Sequence, residues 1–226
     1  MTVDLNKRAA VGMIKTKLIA KTVPVNPAFG ADIGEFIAYV ARVSNPGNQH
    51  NHHTHGKLLD FLEREKHFSP FEMANLVIEV EVTRDIARQL LRHRSFTFQE
   101  FSQRYALSGN FCEPKEARLQ DHKNRQNSIE VDDEKLNQQW MNRQAKLIDF
   151  VKDHYDWAIE NGIAKEVARV VLPEGLTMSR LYVNGTIRSW MHYVAVRTDP
   201  STQKEHRELA TQIAGIMRNE LHGTNS

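Results

Sequence analysis

Cysteine is nearly missing from this sequence: a single thiol, Cys112, stands among 226 residues. One thiol excludes an intramolecular disulfide and an all-cysteine metal site, and it matches a reducing compartment, so a cytoplasmic protein is expected. Long apolar runs are missing too. Nowhere do about 20 apolar residues follow one another, and Met1 to Ala10 carries Asp4, Lys7 and Arg8 where a secretion leader needs an apolar stretch, so neither a membrane span nor a leader is expected. An excess of one charge is also lacking, because 30 Lys and Arg face 28 Asp and Glu for a net of +2. Bulk electrostatics therefore give no reason to expect a nucleic-acid coat or a membrane surface, and a basic site must be local. The sequence contains no G-x-G-x-x-G fingerprint, no internal repeat and no low-complexity tract.

What is present is enough apolar material, 40% of the residues, to give residues 1–226 one real core and an expected single domain. Met13 to Val23 reads as an N-terminal strand. Ile33, Phe36, Ile37, Val40 and Ala41 recur at helical steps and stop at Asn45-Pro46-Gly47. A histidine-rich loop over 49–55 precedes a short helix carrying Leu58, Leu59, Phe61 and Leu62. Leu76, Ile78, Val80 and Val82 alternate with other residues at the period of a strand, and a helix follows with Thr83 as N-cap, Asp85 in its first turn and Ile86, Leu90 and Leu91 buried. Residues 109–128 are polar and weakly periodic, which suggests a surface excursion and a candidate lid. Leu136, Trp140, Leu147, Ile148, Val151 and Tyr155 fit a long amphipathic helix ending at Asn161-Gly162. Residues 164–171 read as helix and 177–183 as strand, with Asn184-Gly185 leading into a helix that carries Arg188, His192 and Arg197. Asp199-Pro200 looks like the start of the last helix, whose apolar side is Leu209, Ile213, Ile216 and Met217. The expected class is α+β, helices packed on a largely antiparallel sheet.

The densest polar stretch runs from Arg92 to Tyr105. On the preceding helix, Arg88, Gln89, Arg92 and His93 fall at i, i+1, i+4 and i+5 and are expected to share one face. If the chain beyond is extended, Glu100, Ser102 and Arg104 point to one side, a row suited to a nucleotide because arginine forks match phosphate oxygens. The plainer reading of Arg92-His93-Arg94 alone is a solvated basic helix end.

Arg92-His93-Arg94, seven residues and then Ser102 reproduce the RHR-x7-S signature of the flavin-dependent thymidylate synthases, and the match extends to Glu100, Arg104 and Tyr105. His67-Phe68-Ser69-Pro70-Phe71-Glu72 resembles the family's H-x-[ST]-P-F-E element, and Arg169 to Pro173 its R-x-V-L-P element. Asn184 to Glu205, through Arg188, His192, Arg197 and Gln203, is similar to its C-terminal nucleotide-binding region. The resemblance implies that His67, Ser69, Arg92, His93, Arg94, Glu100, Thr186, Ile187, Arg188 and His192 hold FAD, with His67 and Ser69 facing another subunit of a homotetramer. It implies that Gln89, Arg92, Glu100, Ser102, Gln103, Arg104, Arg169 and Arg197 hold dUMP, and that Arg197 is catalytic by favouring the ionised N3 of uracil. This sequence departs from the commonest family pattern at Thr97, Gln99 and His192, in lacking a histidine over 198–202, and in one residue inserted between Pro173 and Arg188.

The implied reaction converts dUMP to dTMP, with methylenetetrahydrofolate as carbon donor and NADPH reducing FAD. The protein then supplies binding, orientation and charge. No enzyme nucleophile is needed, and neither Cys112 nor Ser102 sits in an activating motif. Other readings are a zinc site at His50, His52, His53 and His55, where no carboxylate or thiol stands at ligand spacing, and an inactive paralogue, which would crowd Arg104, Arg169 and Arg197 at a cost in repulsion. A single-stranded nucleic-acid module would use Arg88, Arg92, Arg94 and Arg104 with Phe96, Phe98 and Tyr105 as stacking groups.

Overall fold

A computed structural model describes residues 14–223. Met13 and the Met1 to Ala10 segment lie outside them. In chain order the elements are β1 (Lys15–Lys21), α1 (Ile33–Ala41), α2 (His55–Arg64), β2 (Asn75–Thr83), α3 (Arg84–Leu90), β3 (Thr97–Glu100), β4 (Arg118–Gln120), β5 (Ser128–Glu130), α4 (Glu134–Glu160), α5 (Lys165–Ala168), β6 (Met178–Thr186), α6 (Ile187–Arg197) and α7 (Lys204–His222). Four strands form one sheet in the order β1-β2-β6-β3, antiparallel at every pairing, and β4 and β5 make a separate hairpin. This is the expected α+β class.

The period-two pattern of β2 sets the core. Leu76, Ile78, Val80 and Val82 have no exposure and face Leu181 and Val183 of β6, while Glu79, Glu81, Arg180 and Tyr182 alternate onto the opposite, polar face. Against the inner face pack Ile33 and Ile37 of α1, Ile187, Trp190 and Tyr193 of α6, and Leu209, Ile213 and Met217 of α7. Each such side chain contributes roughly 1.5–3 kcal/mol by leaving water. β2 pairs with β6 over nine consecutive residues, from Asn75 opposite Thr186 to Thr83 opposite Met178.

Several boundaries differ from the sequence reading. Asn184-Gly185 is no turn: both residues stay in β6, paired with Val77 and Leu76, and α6 begins only after Thr186, whose hydroxyl accepts from the Ser189 amide. Glycine is needed at 185 because Phe96 covers it, and a Cβ there would lie 2.2 Å from the phenyl ring. α3 stops at Leu90 in tight turns, with the amides of Arg92 and His93 donating to the carbonyls of Gln89 and Leu90, so Arg92 and His93 do not continue its face. The chain is not extended over 102–105 either. Ser102 caps a turn there, its carbonyl accepting from the amides of Tyr105 and Ala106 and its hydroxyl from that of Arg104. Asp199-Pro200 also forms a turn, closed by Ser201 and Thr202, and α7 starts at Lys204.

The excursion over 109–128 is fastened rather than loose. Cys112 is buried against Leu176 and Met178, and its amide donates to the Leu176 carbonyl at 2.8 Å. Gln144 of α4 closes a two-way bridge with the Lys115 backbone, and Asn137 receives the Ala117 amide. Side-chain amides from a neighbouring helix anchor this segment, which is why apolar periodicity did not reveal it. α4 itself buries only Gln144, Val151, Tyr155 and Ala158. Leu136, Trp140, Leu147, Phe150 and Trp157 stay exposed on an arc of about 100°.

Gly185→Ala should lower stability by about 1–3 kcal/mol, because the added methyl displaces Phe96 from Trp190 and the sheet. The urea midpoint measures it, and an unshifted midpoint would refute the packing argument.

Candidate functional site

Three polar groups flank the sheet. The first gathers His67, Ser69 and Arg188 into one pocket walled by Leu62, Phe68 and Pro70. α2 ends on Lys66 in the left-handed region at φ 59, with the His67 amide returning to the Leu62 carbonyl, and the Ser69–Glu72 turn follows. Glu72 then ties the pocket together. It accepts from Arg188 Nη1 at 2.5 Å and from the Thr186 hydroxyl at 3.0 Å, and the Arg188 hydrogen bond holds its carboxyl below the usual range. Glu72 was not among the expected site residues, although it closes the H-x-[ST]-P-F-E element. Ile187 does not belong there: its side chain has no exposure and its amide donates to the Ala74 carbonyl.

The second group lies where the chain leaving α3 meets the end of α6. Arg197 Nε donates to His93 Nε2 at 2.9 Å. His93 also stacks edge-on to Tyr193 at 5.0 Å between ring centres. Burial, and next the Arg197 charge, push the His93 imidazole down to about 4, so it is neutral and its Nε2 is free to accept. Behind it, fully buried His206 is pushed down to about 3 by the same two causes. His206 Nδ1 lies 3.1 Å from Gln89 Oε1, and Gln89 Nε2 donates to Gln203 at 2.8 Å. His192 is exposed on α6, and Arg92 and Arg94 are exposed in the turns that follow α3.

The third group runs along the edge strand. Glu100 of β3 receives Ser179 Oγ at 2.9 Å and pairs with Arg84 and Arg88. Beyond the Ser102 turn, Arg104 meets Glu166 Oε2 at 3.2 Å and Arg169 Nε donates to the Glu166 carbonyl, so α5 brings these two arginines side by side. Gln103 is buried and donates to the Ser108 hydroxyl, which spends part of its amide on the turn.

This geometry disfavours a stacking surface for single strands. Phe96 is buried against Trp190, Phe98 packs on the core, and Arg84, Arg88 and Arg104 are matched by carboxylates. The histidine loop is structural. His50 Nδ1 lies 3.1 Å from the Ala28 carbonyl and His55 Nδ1 2.8 Å from that of His52, while Arg42 reaches the Asn51 carbonyl and Thr54. Among the described residues, no group of three or more His, Cys, Asp and Glu could hold a metal, and no helix is long and apolar enough to cross a membrane.

An antiparallel sheet backed by helices, with arginines from separate segments gathered at its margins, most of them held by an acceptor, defines the class as an α+β protein with a locally basic, polar site. The family profile of the thymidylate synthase complementing proteins matches residues 31–221, and the chain belongs to that family. A probable flavin-dependent thymidylate synthase of Paramecium bursaria Chlorella virus 1 is 47% identical over 208 residues, covering 92% of this chain and 95% of that protein. A flavin-dependent thymidylate synthase of Synechocystis is 46% identical over 202 residues, 88% of each chain. Among solved structures, a UMP/dUMP methylase from Streptomyces cacaoi bound with 5-Br dUMP superposes with a TM-score of 0.77 at 26% identity, covering 93% of this chain and 92% of that one.

The neutral histidines carry a pH signature. Both have folded values below the unfolded 6.5, so the unfolded chain takes up more protons and stability falls as pH drops from 6.5 through about 4 for His93 and about 3 for His206. Between pH 7 and 5 this should cost on the order of 2 kcal/mol at fully buried His206 and less at half-buried His93, where solvent screens the charge. Urea midpoints across that range should fall for the parent and fall less for His206→Asn; equal slopes would refute the assignment.

Proposed function

We propose that this chain is a flavin-dependent thymidylate synthase that converts dUMP to dTMP, with FAD as its redox group, methylenetetrahydrofolate as carbon donor and NADPH as reductant. The observation that carries the reading is Arg197, whose guanidinium donates to neutral His93; His93 lies edge-on to neutral His206, which in turn faces Gln89, so Arg197 is the charged member of that part-buried group. The relatives' names and the 5-Br dUMP bound by the Streptomyces neighbour support the nucleotide.

The residues fit FAD. Leu62, Phe68 and Pro70 offer an apolar wall, Ser69 and Thr186 hydroxyls, and Arg188 a cation at the first turn of α6 where the helix dipole also favours anions. His67, Ser69, Thr186 and Arg188 would hold it with Arg92, His93, Arg94, Glu100 and His192. Arg92 and Arg94 form no ion pair among the described residues, so they are available to phosphate oxygens. When bound and reduced, the flavin supplies the hydride that completes the methyl group.

For dUMP, Arg104 and Arg169 form a phosphate clamp, with Ser102, Gln103 and Glu100 beside it and Gln89 and Arg197 on the base. The Arg197 charge stabilises the base anion in which C5 is nucleophilic, and because the guanidinium is already fixed no reorganisation is required. Cys112 stays out of the chemistry: burial raises its thiol and Leu176 and Met178 enclose it. The proposed site is shared between copies of a homotetramer, which the exposed arc of α4 supports, because Trp140, Leu147, Phe150 and Trp157 form an apolar face that a neighbouring copy would cover. We read the chain as one cytoplasmic domain.

The purified protein should be yellow and should bleach with NADPH. Arg197→Ala should keep its flavin and lose about 10²–10³-fold in dTMP formation, whereas Arg92→Ala and His93→Ala should release flavin on gel filtration. A colourless tetramer that takes up no FAD, or an Arg197→Ala variant as active as the parent, would overturn the reading.

A further inference from the structure

We propose that His206 is a positioning residue for the base subsite: acting through Gln89, it fixes which end of that side-chain amide faces the pyrimidine, as the inner end of a hydrogen-bonded chain that begins on the β4–β5 hairpin. The proposal rests on the reading that Gln89 contacts dUMP.

The chain has a direction set by chemistry. A carboxylate only accepts, and Glu205 accepts from Arg118 on the hairpin through one oxygen and from Gln203 Nε2 at 3.0 Å through the other. Gln203 must therefore turn its oxygen toward Gln89, and it receives Gln89 Nε2 at 2.8 Å. That leaves Gln89 Oε1 facing His206 Nδ1 at 3.1 Å, which must carry the proton. The polarity of a part-buried ion pair thus dictates the tautomer of a histidine with no exposure. The neutral state of His206 agrees with this assignment, since Nδ1–H donates and Nε2, which has no partner among the described residues, carries no proton.

The consequence concerns the ligand. With its oxygen committed to His206 and one amide hydrogen to Gln203, Gln89 has one N–H left to offer. It is a donor and suits a pyrimidine carbonyl oxygen or an ionised ring nitrogen. Without His206 the amide is free to rotate and present its oxygen instead. His206 also occupies a site on the apolar stripe of α7 with Leu209, Ala210 and Ile213, where an aliphatic side chain would pack equally well, so packing alone does not account for an imidazole there.

The test uses flavin-loaded protein and reads the KM and the calorimetric affinity for dUMP, with flavin content measured alongside. His206→Leu should raise the dUMP KM roughly 5–10-fold, the size of one lost hydrogen bond, with kcat within about twofold and flavin unchanged. His206→Asn should restore the affinity, because its Nδ2 stands where the imidazole Nδ1 stood. Glu205→Gln, at the outer end, lets the amides flip and should weaken dUMP without touching the core, which tests the same polarity even if His206→Leu does not fold. In a Gln89→Ala background His206→Leu should add nothing. Additive losses, or an Asn variant as weak as the Leu variant, would overturn the positioning role. If Gln89→Ala itself binds dUMP like the parent, the subsite reading fails first; if Gln89→Ala is weak while His206→Leu is normal, only the present proposal fails.

Discussion

The nine-residue pairing of β2 with β6 is the constraint from which the site follows. Both strands alternate, and a slip of one residue would drive Leu76, Ile78, Val80, Val82, Leu181 and Val183 to the polar face, so their register is fixed by burial. α3 begins on the residue after β2 and α6 on the residue after β6. The register therefore sets, with no intervening loop, where Arg88, Gln89, Arg188 and Arg197 stand. Gly185 extends the same control to Phe96, whose ring lies on the strand and anchors the chain just past Arg92-His93-Arg94.

The fold was legible in the sequence wherever one side chain pattern decided the outcome. β2, α1 and the buried stripe of α7 follow directly from spacing, and the C-terminal end of α4 from Asn161-Gly162. Elements failed to show where a polar group did the anchoring. Asn184-Gly185 has the composition of a turn, yet it is strand because Phe96 requires a bare backbone. Asp199-Pro200 has the composition of a helix start, yet Ser201 and Thr202 close a turn on Asp199 first. The hairpin and its approach are held by Gln144 and Asn137, residues whose partners are backbone groups far along the chain. Of the site, the arginines could be named from their motifs, but their pairing could not: Glu72 and Glu205 stand in motif stretches that do not say which arginine each holds, and Glu166 is an ordinary surface glutamate until the fold places it. His206 left one trace, a histidine at an apolar position of a helix.

Those acceptors divide the cations into two populations. Arg84, Arg88, Arg104, Arg118 and Arg188 each meet a carboxylate, so their side chains are ordered before any ligand arrives. Arg92 and Arg94 make no such pair among the described residues and stay exposed. Preorganised and unpaired cations serve different ends. The first hold shape at little cost in ordering upon binding, and the second keep their full charge for phosphate oxygens.

Arg197 belongs to neither population, and its setting explains why two histidines near it are neutral. Three basic side chains stand close together, His206 buried and His93 and Arg197 half-buried, and charging all three would set like charges against one another where solvent screens them only in part. Burial resolves the conflict by depressing the two imidazoles, since a guanidinium does not give up its proton. His93 then becomes an acceptor and orients Arg197, where a protonated ring would repel it. The result is one fixed positive charge in a weakly polar surrounding, where it acts most strongly on a developing anion and has no need to move. The same burial that costs this protein stability in acid is what concentrates its charge on the one group able to use it.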